Sequence, residues 1–151
     1  MPSKTKTMRP INKIILHCTA TPEGRETTVD DIRRWHKAQG WSDVGYHYVV
    51  YLDGTVKKGR PVEKIGAHAQ GHNAGSVGIV YVGGIDKMTL KPKDTRTDKQ
   101  KEALHNLIME QMLKYKGATL HGHNEFAPKA CPSFDVKKEY ADIIKFFKET
   151  K

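Results

Sequence analysis

At 151 residues, 37% hydrophobic and 28% charged, the chain has room for one domain around one core and the composition of a soluble globular protein, which excludes a disordered or membrane-embedded chain. Lys plus Arg (26) exceed Asp plus Glu (17), giving a net charge of +9, so the surface attracts anions such as nucleic acid, acidic lipid or an acidic cell-wall polymer. The only apolar run near the basic start, Ile14 to Leu16, is too short for an export signal, and no stretch is long enough for a transmembrane span.

In chain order, residues 1–10 (MPSKTKTMRP) read as a flexible basic arm and residues 11–151 as one domain. Ile11 to His17 reads as a buried strand of β-branched residues that ends in a histidine. A loop with Pro22 and Gly24 follows. Thr28 then stands as an N-cap with Asp30 and Asp31 in the first turn, and Val29, Ile32 and Trp35 recur at helical spacing until Gly40 stops the helix. Tyr46 to Leu52 alternates weakly, and Asp53-Gly54 turns it back into Thr55 to Arg60, which predicts a β-hairpin.

The polar, glycine-rich stretch His68 to Gly75 reads as a surface loop. Ser76 to Val82 is a near-continuous apolar run closed by Gly83-Gly84, the pattern of an interior strand. Thr97 and Gln100 form a capping box for a helix whose stripe is Leu104, Leu107, Ile108, Met112 and Tyr115, up to Gly117. Thr119 to His121 is a short strand. A last helix starts at about Asp135, with Val136, Tyr140, Ile143, Ile144 and Phe147 on one side. Strands alternating with helices predict an α/β fold, a single domain with a central mixed β-sheet flanked by helices.

The chemistry concentrates in HGHNEFAPKACPSF, His121 to Phe134. Imidazole nitrogen and thiolate sulfur are the ligands zinc prefers, and three protein ligands leave a fourth tetrahedral position open for water. His123 and Cys131 are too far apart for one helical turn, and Pro128 and Pro132 make an irregular loop their carrier. The third partner is His17, which a strand delivers at its end. Cys18 follows it directly and points to the opposite face, so the two cysteines read as separate thiols rather than a disulfide.

Zn²⁺ held by His17, His123 and Cys131 is equipment for amide hydrolysis, and the tetrahedral oxyanion that forms needs donors where its charge develops. Lys129 and Tyr46 could supply an ammonium and a phenol. Glu125 is a candidate proton acceptor or a partner that orients a histidine. His36 and His105 read as ordinary helix-face residues, and His47 points away from Tyr46 on the same strand. His68 and His72, on the polar loop, could line a groove.

The segments HCTAT, RRWHKAQGWSDVGYHYVV, DGTVKKGR, GAHAQGHNAGSVGI, VGGID and HNEFAPKACPSFD run in matching order from about Ile14 to Asp135. They resemble those of bacteriophage-type N-acetylmuramoyl-L-alanine amidases, zinc enzymes related to peptidoglycan recognition proteins. The resemblance implies zinc on His17, His123 and Cys131, with Tyr46 and Lys129 as the catalytic pair. It implies peptidoglycan as substrate, cut between N-acetylmuramic acid and L-alanine, with His68 and, on the same loop, Asn73 beside the substrate. Family members often carry a second histidine directly after the metal histidine; here that place holds Asn124 and the extra histidine is His121, and His123 is taken as the ligand.

Two other readings compete. A non-catalytic wall-binding module is one, and the presence of Cys131 counts against it. A regulatory protein that binds RNA polymerase is the other, since some family members do so, but MPSKTKTMRP carries nothing that identifies that role. No helix-turn-helix or basic-aromatic platform is evident, so no specific nucleic-acid partner is expected. A compact domain with no separate wall-binding module suggests a monomer, made in the cytoplasm and reaching the wall through a pore, a secretion machine or lysis.

Overall fold

The structure, a computed structural model, describes residues 9–149; most of the predicted basic arm, residues 1–8, lies outside them. Its centre is a five-stranded sheet. Strands β1 (Lys13–Cys18), β3 (Tyr48–Val50), β4 (Val56–Lys58), β5 (Ser76–Tyr81) and β7 (Thr119–Gly122) stand in the order β4-β3-β5-β1-β7. Only the β3–β4 hairpin is antiparallel, so the sheet is mixed, as the alternation of strands and helices predicts. The hairpin closes at Asp53-Gly54, where Gly54 has φ +88 and donates its N–H to Tyr51 O at 2.9 Å.

Strands β1 and β5 are the middle of the sheet because both of their faces are covered; all six residues of β5 are buried. On one face Ile14, Leu16, Tyr48, Val50, Val77, Ile79 and Tyr81 pack under helices α2 (Asp98–Lys114), α3 (Val136–Glu139) and α4 (Ala141–Glu149). Full burial of each aliphatic side chain there contributes roughly 1.5–3 kcal/mol. The opposite face is thinner: Val49, Val80 and Val82 meet Val29 and Ile32 of α1 (Val29–Ala38).

Both long helices start as their sequences predict. Thr28 and Asp31 close a capping box on α1, and Thr97 and Gln100 close another on α2. Gln100 reaches further, donating through Nε2 to Val82 O at 3.0 Å, so α2 is fastened to the end of β5. The inner face of α1, however, is Val29, Ile32 and His36, and Trp35 is 38% exposed. Spacings of three and four carry the stripe to His36 rather than Trp35. The predicted last helix is two, broken at Tyr140, which caps α3.

A second, two-residue parallel pairing joins β2 (Thr21–Pro22) to β6 (Gly84–Ile85), beyond the ends of β1 and β5. Arg9, at the end of the predicted arm, is anchored: its guanidinium donates to the carbonyls of Val62, Ala74 and Ser76 at 2.9–3.1 Å. Among the described residues no helix is long and apolar enough to cross a membrane.

Candidate metal centre and active site

Strand register builds the site. On β1 the side chains alternate, so Leu16 and Cys18 enter the main core while His17 faces the thinner side. Leu16 pairs with Gly122 of the parallel neighbour β7, and the next residue after each is a histidine, His17 on β1 and His123 at the start of a short 3₁₀ turn. The two rings therefore lie side by side, centroids 4.6 Å apart.

Cys131 arrives by the proline-flanked loop. Tyr81 Oη donates to Pro132 O at 2.7 Å and Ser133 Oγ donates to Gly84 O at 2.9 Å, which holds the loop down on β5 and β6. The Cys131 thiol sits 3.8 Å from His17 Nδ1 and accepts the Cys18 backbone N–H at 3.2 Å. Among the described residues His17, His123 and Cys131 form a group whose ligand atoms all lie within 4.8 Å of one another. Zinc bonds of about 2.0 Å to nitrogen and 2.3 Å to sulfur in tetrahedral geometry separate ligand atoms by about 3.3–3.7 Å. The donor set and its spacing fit that ion with little movement.

Tyr46 stands over this group, its ring centroid 5.0 Å from that of His17. It is placed by Gly45, whose N–H donates to His36 Nδ1 at 2.8 Å, and by the packing of His36 against Trp41 at 4.4 Å. Burial pushes the Tyr46 phenol well above its ordinary range, so it stays a protonated donor. Lys129 is exposed on the loop. Burial foremost, then the neighbouring imidazoles and the Lys129 ammonium, hold His17 far below the ordinary histidine value, and burial and then Lys129 lower His123. Neutral imidazoles are the form a metal needs.

The remaining histidines divide sharply. His121 does not join the group: its Nδ1 pairs with Glu125 Oε1 at 2.8 Å and its Nε2 with Thr119 Oγ1 at 2.6 Å. Glu125 thus orients a histidine, and its other oxygen accepts the Gly122 N–H at 2.8 Å. His72 stacks on Phe126 with centroids 4.1 Å apart, joining the glycine-rich loop to the segment that follows β7. His47 is fully buried and accepts the Gly78 N–H on Nδ1 at 3.0 Å, so its Nε2–H donates to Lys64 O at 2.9 Å.

Two of the residues expected beside the substrate are engaged within the protein. His68 is 8% exposed, with its ring nitrogens facing His17 and Ser76 inside the protein. Asn73 turns its Oδ1 inward to accept the N–H groups of His68 and Ala69 at 2.9 and 2.8 Å, which shapes the loop. His36, expected on an ordinary helix face, is buried under Tyr46; its place in the stripe from Val29 and Ile32 is the signal that could have found it. Arg96 gave no signal. It is buried beside the Cys131 loop, bidentate to Asp94 and 3.8 Å above the Phe134 ring.

Fold and site together define an α/β protein that presents, where β1 and β7 end, a His-His-Cys group that could hold a metal ion. Residues 7–134 match the N-acetylmuramoyl-L-alanine amidase family model, and the chain belongs to that family. It is 46% identical over 127 residues to the endolysin of Klebsiella phage KP32, covering 84% of this chain and 83% of that one. It is 47% identical over 125 residues to the endolysin of Escherichia phage T7, covering 83% and 82%. Among solved structures it is similar to the N-acetylmuramoyl-L-alanine amidase LysC from Clostridium intestinale URNW, with TM-score 0.72, 29% identity, and 89% and 87% of the two chains covered.

Proposed function

We propose that this chain hydrolyses peptidoglycan at the amide bond between N-acetylmuramic acid and the L-alanine of the stem peptide, with zinc held by His17, His123 and Cys131. The observation that carries the reading is the convergence of those ligand atoms within 4.8 Å in a member of the amidase family. When bound, zinc supplies Lewis acidity that acidifies water and polarises a carbonyl oxygen.

The chain's own groups supply the rest. Tyr46, a neutral phenol beside His17, donates its O–H where negative charge develops on the attacked carbonyl oxygen. Lys129 adds a positive charge beside His17 and His123 on the exposed side, and the proton that the attacking water loses is delivered to the leaving nitrogen as the carbon–nitrogen bond breaks. His72 stacked on Phe126 and, separately, Trp41 packed on His36 offer aromatic faces on which a sugar-peptide chain can rest. The net charge of +9 draws the protein to an anionic wall. All these groups come from one chain, so the reading needs only a monomer, acting at the wall after passage through a pore, a secretion machine or lysis.

The test is digestion of purified peptidoglycan with and without a chelator, with zinc added back, followed by mass analysis. Free stem peptides beginning in L-alanine, lost with chelator and restored by zinc, are expected. Intact peptidoglycan in the presence of folded, zinc-loaded protein would overturn the reading.

A further inference from the structure

His17 offers Nδ1 toward Cys131 Sγ, and its other nitrogen, Nε2, lies 2.8 Å from His68 Nδ1. His68 Nε2 in turn lies 3.2 Å from Ser76 Oγ, a fully buried hydroxyl on β5. A neutral imidazole has one proton, so a His17 that gives its Nδ1 lone pair to a metal carries that proton on Nε2. His68 Nδ1 must then accept it, which puts the His68 proton on Nε2, facing Ser76 Oγ. One direction of donation, His17 to His68 to Ser76, satisfies every ring nitrogen.

We propose that His68 is a positioning residue for the metal centre, fixing the tautomer and ring angle of His17, with Ser76 closing the chain. This rests on the zinc reading above. The place is built for a ring. A Cβ on Gly78 would meet the His68 ring at 2.6 Å and one on Gly66 would meet it at 2.8 Å, so both glycines clear the slot it occupies. Asn73 Oδ1 clamps the backbone of His68 from the loop side, and His47 meets its ring edge-on at 5.8 Å.

The choice of partner has a chemical consequence. Metal-bound histidines commonly donate to a carboxylate or a backbone carbonyl. A carboxylate here would add negative charge behind the ligand, and a neutral imidazole adds none. The ion therefore keeps more of its charge for the substrate, while His17 is still held in one orientation.

Two measurements test this. Zinc affinity is read by competition with a chromophoric chelator for wild type, His68→Leu, His68→Asn and Ser76→Ala, with circular dichroism checking that each is folded. His68→Leu should lose about 10–100-fold in affinity. His68→Asn, whose Oδ1 sits near the place of Nδ1 and accepts the same N–H, should stay within a few-fold of wild type, and Ser76→Ala should fall between. Nitrogen-15 NMR of zinc-loaded wild type should show His17 protonated on Nε2 and His68 protonated on Nε2, whether or not the variants fold. Equal affinity in wild type and folded His68→Leu, or a His68 protonated on Nδ1, would overturn the proposal. A wild type that binds no zinc would instead sink the amidase reading on which it rests.

Discussion

The Cys18 backbone N–H donates to Cys131 Sγ at 3.2 Å, so the strand that carries His17 also grips the thiol that faces it. Its own side chain lies on the other face, in the main core, and the two cysteines are free thiols. The neighbouring Cys18 thiol and then burial push the Cys131 thiol up, and the donated N–H works against them by favouring the thiolate. Cys131→Ser keeps an atom for this bond but offers a hydroxyl, a much poorer zinc ligand. The expected outcome is a loss of more than about 100-fold in zinc affinity together with amidase activity, given that outer partners alone are worth about 10–100-fold. Stoichiometric zinc and full activity in this variant would show that the metal group is misassigned.

Tyr46 and Lys129 should behave differently, because neither belongs to the ligand group. Tyr46→Phe removes one O–H and nothing else, so zinc content should be unchanged while kcat falls about 10²–10³-fold, the usual effect of losing one oxyanion donor. Lys129→Ala should fall in the same range. A drop confined to KM for either variant would assign it to substrate binding rather than to the transition state.

Gly45 provides a test of how Tyr46 is held. A Cβ there would collide with the backbone carbonyl of Ala67, which cannot rotate away as a side chain could. Gly45→Ala should therefore cost about 1–3 kcal/mol by overpacking and displace the adjacent phenol. Denaturant unfolding and kcat should fall together, with zinc affinity closer to wild type.

Two members of the candidate metal group were legible in the sequence because each is tied to a strong local signal, an apolar run ending at His17 and a proline-bounded thiol at Cys131, whereas the choice of His123 over His121 rested on the resemblance. The sheet was legible for the same reason, since β5 and β1 are apolar almost throughout. What escaped were polar residues that tertiary contacts bury. His68 sits in a stretch whose composition says surface loop, and Gly66 and Gly78, on either side of that stretch, make the slot that takes the ring inside. The β2–β6 pairing has two residues per strand, too few for any period to register.

His47 gives the fold a pH dependence of its own, separate from the metal. Burial, reinforced by the cations of Arg9 and Arg60 against the bond to Lys64 O, pushes its pKa from 6.5 down to about 4. Between those values the unfolded chain binds a proton that the folded one refuses. The stabilising effect is complete above about pH 6.5 and is lost as pH falls toward 4, amounting to about 3 kcal/mol for this one group. Urea unfolding of the metal-free protein should show that decline, and His47→Asn, which keeps an acceptor for the Gly78 N–H, should reduce it by about that amount and leave the part due to the other buried imidazoles, His17 and His68. A stability constant from pH 7 to pH 4 in wild type would contradict the assignment.

Arg96 ties the end of the metal loop to the rest of the core. Its guanidinium is buried, bidentate to Asp94 at 2.8–2.9 Å, donates to Tyr140 Oη at 2.8 Å, and stacks on Phe134. Glu139 approaches it at 3.3 Å, so two carboxylates and a phenol share one cation. Arg96→Leu would leave those groups facing an apolar side chain. Both carboxylates are partly exposed and can rehydrate, which sets the cost near the lower end for a broken buried pair, about 3 kcal/mol. In a domain of this size that lowers Tm by roughly 6–12 °C. Arg96→Lys should recover only part, because an ammonium cannot make the bidentate pair or cover the Phe134 face. The order wild type, Lys, Leu in thermal melts is the expected outcome; a lysine variant as stable as wild type would show that charge alone, rather than the planar fork, holds this corner.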